Sequence, residues 1–244
     1  MSLLKNLTTD ASIANERDSL GGARLLDSGL HLFTITLAYL QVATSGALSL
    51  VLGLKAPAGE TRQTFWLTGG KDKGCKNYYE DKSGAKQYLP GFILANSLAL
   101  LTVGKELSEL ETEQKVTNVY NADAKKELPT KVDMLMDLIG KEILGGVIRQ
   151  TVDKTKKDAA GVYQPTGETR EENEVDKFFR ASDCITTTEI RAEATEAAFA
   201  TAWEEKWKGV TRNKAKGASG TAGAPKAAAK TAANDSPARK SLFG

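Results

Sequence analysis

Leu30-His-Leu-Phe-Thr-Ile-Thr-Leu-Ala-Tyr39, Leu48-Ser-Leu-Val-Leu-Gly-Leu54 and Arg62-Gln-Thr-Phe-Trp-Leu-Thr68 place an apolar residue at nearly every second position. A period of two puts alternate side chains on opposite faces of an extended chain, so the three stretches are expected to be β-strands. In the first, Phe33, Ile35, Leu37 and Tyr39 fall on one face and Thr34, Thr36 and Ala38 on the other. In the second, Leu48, Leu50, Leu52 and Leu54 form the apolar face. In the third, Phe65 and Leu67 point one way, and Arg62, Thr64, Trp66 and Thr68 the other. The turns Thr44-Ser45-Gly46 and Ala56-Pro57-Ala58-Gly59 make them a meander.

Downstream, residues 69–91 are rich in Gly, Lys and Tyr, and Asp81-Lys82-Ser83-Gly84 is expected to turn a hairpin that ends at Pro90. Phe92 to Glu113 reads as a helix, Val116 to Tyr120 as a strand, Thr130 to Leu138 as a short helix and Lys141 to Val152 as a strand. Within that last strand, Gly145-Gly146 implies a bulge or a close backbone approach. A second hairpin-like region runs to Phe179. Thr186-x-x-Glu189 has the form of a capping box heading a helix that carries Phe199, Trp203 and Trp207 on one stripe, a stripe that docks it on the body. The expected class is a β-rich α+β chain: a five-stranded oligonucleotide-binding (OB-fold) barrel with inserted hairpins, a C-terminal helix and a disordered tail. Its boundaries are an N-terminal arm at 1–28, the barrel with its helix at 29–208 and a basic tail at 209–244.

Charge follows those boundaries. From Gly209 to Gly244 there are seven cations and one anion, against 26 cations and 30 anions before it, so a near-neutral total hides a basic end. Cys75 and Cys184 form no metal-type or redox-type pair, and neither a secretory leader nor a membrane span is legible, so no membrane partner and a reducing cytoplasm are expected. His31, the only histidine, sits in the first strand, which leaves triad chemistry nowhere to form. Gly69 to Lys76 resembles a phosphate-binding loop but has Cys75 where the lysine belongs and Lys76 where the hydroxyl belongs. The acidic runs Glu109, Glu111, Glu113 and Glu171, Glu172, Glu174, Asp176 could hold nuclease metals, but solvated faces explain them more simply. No catalytic residue, metal or cofactor is expected.

Holding a single strand without reading its sequence needs cations along the backbone path and rings on which bases stack. Residues 62–88 interleave them: Arg62, Lys71, Lys73, Lys76, Lys82 and Lys86 with Trp66, Tyr78, Tyr79 and Tyr88. Arg149, Lys154, Lys156 and Lys157 form a second basic cluster, and Lys125-Lys126 flank Tyr120. The expected ligand is single-stranded DNA bound mainly through Arg62 to Tyr88, with Arg149, Lys154 and Lys156 adding phosphate contacts.

Several stretches extend this picture: Tyr88-Leu-Pro-Gly-Phe92, Leu101-Thr-Val-Gly-Lys-Glu-Leu107, Tyr120 through Leu135 (YNADAKKELPTKVDML), Leu138-Ile-Gly-Lys-Glu-Ile143, Gln150-Thr-Val-Asp-Lys-Thr-Lys-Lys157 and Trp203-Glu-Glu-Lys-Trp-Lys208. Read in order over roughly residues 19–210, and with the ending Ser241-Leu-Phe-Gly244, the chain resembles the single-stranded DNA-binding proteins of podophages that carry a giant RNA polymerase in the virion. The resemblance implies a role in phage DNA replication and recombination in the cytoplasm of the infected host, and activation of host RNA polymerase through the C-terminus. On that alternative the tail residues Arg239, Lys240, Leu242 and Phe243 recruit RNA polymerase or replication proteins, and the folded body is a scaffold.

Overall fold

The structure is a computed structural model that describes residues 25–121, 124–158 and 163–216. Residues 1–24 of the arm and 217–244 of the tail, with Arg239, Lys240, Leu242 and Phe243, lie outside the described residues.

The expected meander forms β1 (Gly29–Val42), β2 (Leu48–Ala56) and β3 (Gly59–Trp66), antiparallel throughout. The alternation in β1 does not hold along its length. A register shift between Ile35 and Leu37 inserts one residue, which inverts the faces: Phe33, Ile35 and Ala38 enter the main core, while Leu37 and Tyr39 enter a second cluster with Val51 and Val132. Gly53 stands opposite Leu37, and a Cβ there would come within 2.9 Å of both Leu37 Cβ and Thr36 Oγ1, so a glycine on β2 makes room for the bulge.

After the hairpin of β4 (Tyr78–Glu80) and β5 (Lys86–Tyr88), helix α1 covers Pro90–Thr102. Pro90 opens it, since the missing N–H costs nothing in the first turn. The helix stops well before Glu113 because Gly104, at φ 78°, turns left-handed and returns its N–H to Ala99 and Leu100. The expected helix at 130–138 is instead β7 (Lys126–Met134), paired residue for residue with β6 (Glu113–Asn121), followed by a 3-10 turn at Met136–Leu138. Pairing of Tyr39 with Met134 decides the matter, because the apolar residues of β7 then meet the second cluster at a period of two.

The remaining strands are β8 (Glu142–Lys157), β9 (Tyr163–Phe179) and the short β10 (Thr211–Asn213). β1 pairs β8 through its first half and β7 near its end; β8 pairs β9 along one edge and, past β1, the parallel β10 on the other. The result is a β-rich α+β fold with one large, mostly antiparallel sheet and few helices. That sheet does not close. Between β3 and β9 there is no backbone ladder; Gln63 Nε2 donates to the Asn173 carbonyl at 3.0 Å, and α1 packs across the gap against β3, β8 and β9. Among the described residues seven strands, β1, β2, β3, β6, β7, β8 and β9, have eight residues or more, so the expected closed barrel of five strands is not formed. The stretch at Val116–Tyr120 lies in the β6–β7 hairpin, and the expected last strand at Lys141–Val152 is β8, which pairs a further long strand, β9.

Gly145 and Gly146 serve both expected purposes. The register shifts after Gly146, and a Cβ on either residue would come within 2.8 Å of the Phe33 or Trp203 ring. The capping box at Thr186 and Glu189 heads a five-residue helix, α2 (Thr187–Arg191), separate from α3 (Ala198–Trp207). α3 docks as its stripe implies, with Trp203 buried against Phe179 and its indole N–H donating to Asp176 at 2.9 Å. The fold also reaches past residue 208: Arg212 and Lys214 pair with Glu174, and the Lys216 amide donates to Asp153, so cations counted with the tail are engaged by the body. Among the described residues no helix is long and apolar enough to cross a membrane.

The start of α1 lies directly on the end of β3. A Cβ on Gly91 would collide with the Trp66 carbonyl oxygen and come within 2.7 Å of its nitrogen. Because backbone cannot swing aside as a side chain can, Gly91→Ala is expected to cost about 1–3 kcal/mol in chemical denaturation and to shift the tryptophan emission of the folded protein. Wild-type stability with an unchanged spectrum would show that this contact is slack.

Candidate nucleic-acid interface

Trp66 leaves β3 on the side away from Phe65, and 49% of its surface stays exposed. The chain then runs through Gly69-Gly70 into a 3-10 turn at Lys71–Lys73. Three backbone bonds fix this turn: Lys71 N–H to Ser45 O at 2.8 Å, Gly69 N–H to Lys76 O at 2.8 Å and Cys75 N–H to Gly70 O at 3.0 Å. The Lys71 stem lies over Gly46, where a Cβ would meet its Cγ at 2.7 Å. Across from the turn, the Asp81 carboxylate ties the β4–β5 hairpin by accepting from Ser83 N–H and Oγ–H and from Ala85 N–H, and the Ser83 bonds above all hold its pKa below the ordinary range. Tyr78 faces Tyr88 across the hairpin, and Tyr88 leans on Phe92 of α1 with ring centroids 5.2 Å apart.

Between the turn and the hairpin is a groove of about 610 Å³ whose walls include Trp66, Lys73, Lys76, Tyr78 and Tyr79. Half of the Tyr79 surface is exposed. The ammonium groups of Lys76 and Lys86 stand 5.4 and 5.1 Å from the Tyr78 ring centroid, so that ring shares its face with cations, whereas no cation of the described residues stands over Trp66 or Tyr79. Among the described residues, Lys71, Lys73, Lys76, Lys82 and Lys86 make no ion pair. Five unpaired lysines against Asp72, Glu80 and Asp81 leave the segment 69–89 net positive.

The other expected cations are differently placed. Arg62 pairs with Glu127 at 3.6 Å and lies outside the groove. Arg149 is held by Glu171 at 2.5 Å and Asp27 at 3.2 Å, contacts that raise its pKa, and Lys154 pairs with Glu168 at 2.9 Å. Arg149, Lys154 and Lys156 stand on β8 and none lines the groove, so a polyanion would have to displace carboxylates to reach the first two. The acidic run of β9 is likewise spent: Glu171, Glu172 and Glu174 pair with Arg149, Arg170 and Arg212, and Asp176 accepts from Trp203. Burial pushes the Glu174 carboxyl up, but Lys214 and Arg212 outweigh it and hold the group below the ordinary carboxylate range. Among the described residues no cluster of His, Cys, Asp and Glu suits a metal ion.

Sequence inspection missed Thr68, Gly69, Glu80 and Leu89, which complete the groove, because nothing in their type marks them as surface facing a ligand. It also missed the Arg212 site, where the guanidinium donates to Gln150 and Glu174 and lies 5.5 Å from the Trp207 ring. No protein-family model matches the chain, and no curated protein matches it.

Proposed function

We propose that the protein binds single-stranded DNA with little regard to sequence, in phage DNA replication and recombination, on a frame that is an open variant of the five-stranded oligonucleotide-binding barrel. One observation carries the proposal: exposed Trp66 and Tyr79 share a groove with two lysines, Lys73 and Lys76, that have no carboxylate partner among the described residues. Flat rings of this kind accept any base, each adding on the order of 1–3 kcal/mol, and the lysines replace counterions along the backbone. The strand order supports the frame: β1 pairs β2 and β8, β8 pairs β9, and α1 fills the space where β3 and β9 would close a barrel. In such barrels the ligand crosses the second and third strands, where β3 presents Trp66.

A salt titration tests the role of the lysines. With an oligo(dT) strand, the slope of log affinity against log salt is expected to flatten by about 0.7 for each of Lys73 and Lys76 changed to alanine. Unchanged slopes in both variants would remove these residues from the phosphate path.

A further inference from the structure

Trp66 and Tyr78 each belong to two hollows. Trp66 separates the basic groove from a cleft of about 450 Å³ toward β9 whose charged lining is Glu172 and Glu174. The lining on that side offers a phosphate no cation, so a strand stacked on Trp66 runs the other way, toward Lys76 and Tyr78. Those two residues, with Thr68, are also walls of a third hollow of about 430 Å³ between the lysine turn, α1 and the 3-10 turn at Leu107–Glu109. Its lining contains no carboxylate, and half of it is leucine and phenylalanine, including Leu67, Phe92, Leu110 and Leu135.

Asn77 is one of the polar residues in that lining, with Thr68, Ser108 and Thr112. Its backbone carbonyl accepts Leu89 N–H at 2.9 Å, which fixes the residue where the hairpin begins; the residue is part of the hollow's lining, and its carboxamide has no hydrogen-bond partner among the described residues. A volume near the small end of ligand clefts, about 300–1,000 Å³, suits one flat heterocycle. Apolar walls suit its faces, and a carboxamide, which donates and accepts side by side, suits its edge. Lys76 at the shared rim stands where the phosphate of that nucleotide would remain outside.

Building on the single-strand reading above, we propose that this hollow captures one extruded nucleobase of the bound strand, with Asn77 reading its edge. Binding is then tolerant at the stacked positions and selective at one.

The test uses the full chain and measures affinities for oligo(dT), oligo(dC) and oligo(dA) in wild type, Asn77→Leu and Ser108→Phe, with melting curves to confirm folding. Ser108 is an exposed wall residue, and phenylalanine there fills the hollow. Wild type is expected to separate its best and worst homopolymer by at least about 5-fold, the low end for a bidentate base contact. Asn77→Leu is expected to shrink that spread below about 2-fold, and Ser108→Phe to weaken all three. Equal wild-type affinities, a spread that survives Asn77→Leu, or Ser108→Phe binding as wild type would each overturn the proposal. A change in oligomeric state on Ser108→Phe with unchanged DNA affinity would overturn it in favour of a protein occupant. Failure of wild type to bind any of the three strands would instead remove the single-strand reading itself.

Discussion

Trp66→Ala combined with Tyr79→Ala is expected to weaken oligo(dT) binding by about 2–6 kcal/mol, the sum of two base-stacking contributions of about 1–3 kcal/mol each. The two rings are about half exposed and belong to none of the buried clusters, so their removal should leave folding intact. Tyr120, 60% exposed on the β6–β7 hairpin and outside the groove, is the control. Tyr120→Ala should bind as wild type. Equal losses from Tyr120→Ala and the double variant would mean that exposed aromatic surface anywhere suffices and that the groove has no special part.

The second large effect concerns stability. Trp203→Ala is expected to lower unfolding free energy by about 3–5 kcal/mol, measured by denaturant titration, because a buried indole leaves a cavity that its neighbours cannot fill. Trp203 sits on the flat seat provided by Gly146, packs edge-on against Phe179 and gives Asp176 its hydrogen bond. Removing it strips α3 of its main anchor and leaves that carboxylate, among the described residues, with only a 3.8 Å contact to Arg212. Because the indole is remote in sequence and contact from the groove, the remaining folded protein should keep its affinity for oligo(dT). A loss under about 1 kcal/mol would show that α3 is not held by this ring.

Period-two stretches were the legible part of the fold. β2 and β3 appear where the alternation puts them, and the turn at Asp81–Gly84 and the capping box at Thr186 are visible because each depends on residues a few positions apart. What could not be read depends on partners distant in sequence. The bulge in β1 needs Gly53 opposite Leu37, and β7 is a strand only because β6 and the end of β1 supply its pairing. Arg212 looks like the start of a basic tail until Glu174 and Trp207 are seen around it. The same contrast divides the candidate site. Trp66, Lys73, Lys76, Tyr78 and Tyr79 come together because a short turn and a hairpin lie side by side, whereas Arg149 and Lys154, chosen on charge alone, are neutralised across the β8–β9 ladder.

On the proposed single-strand reading, preference for unpaired bases is the property that the rings of this groove supply. At one fixed moderate salt concentration, the affinity of the full chain for a mixed-sequence single strand should exceed that for the same sequence as a duplex, because stacked pairs cannot present their faces to Trp66 and Tyr79. A duplex bound as tightly as the single strand, or no detectable complex with the single strand even at low salt, would contradict the account.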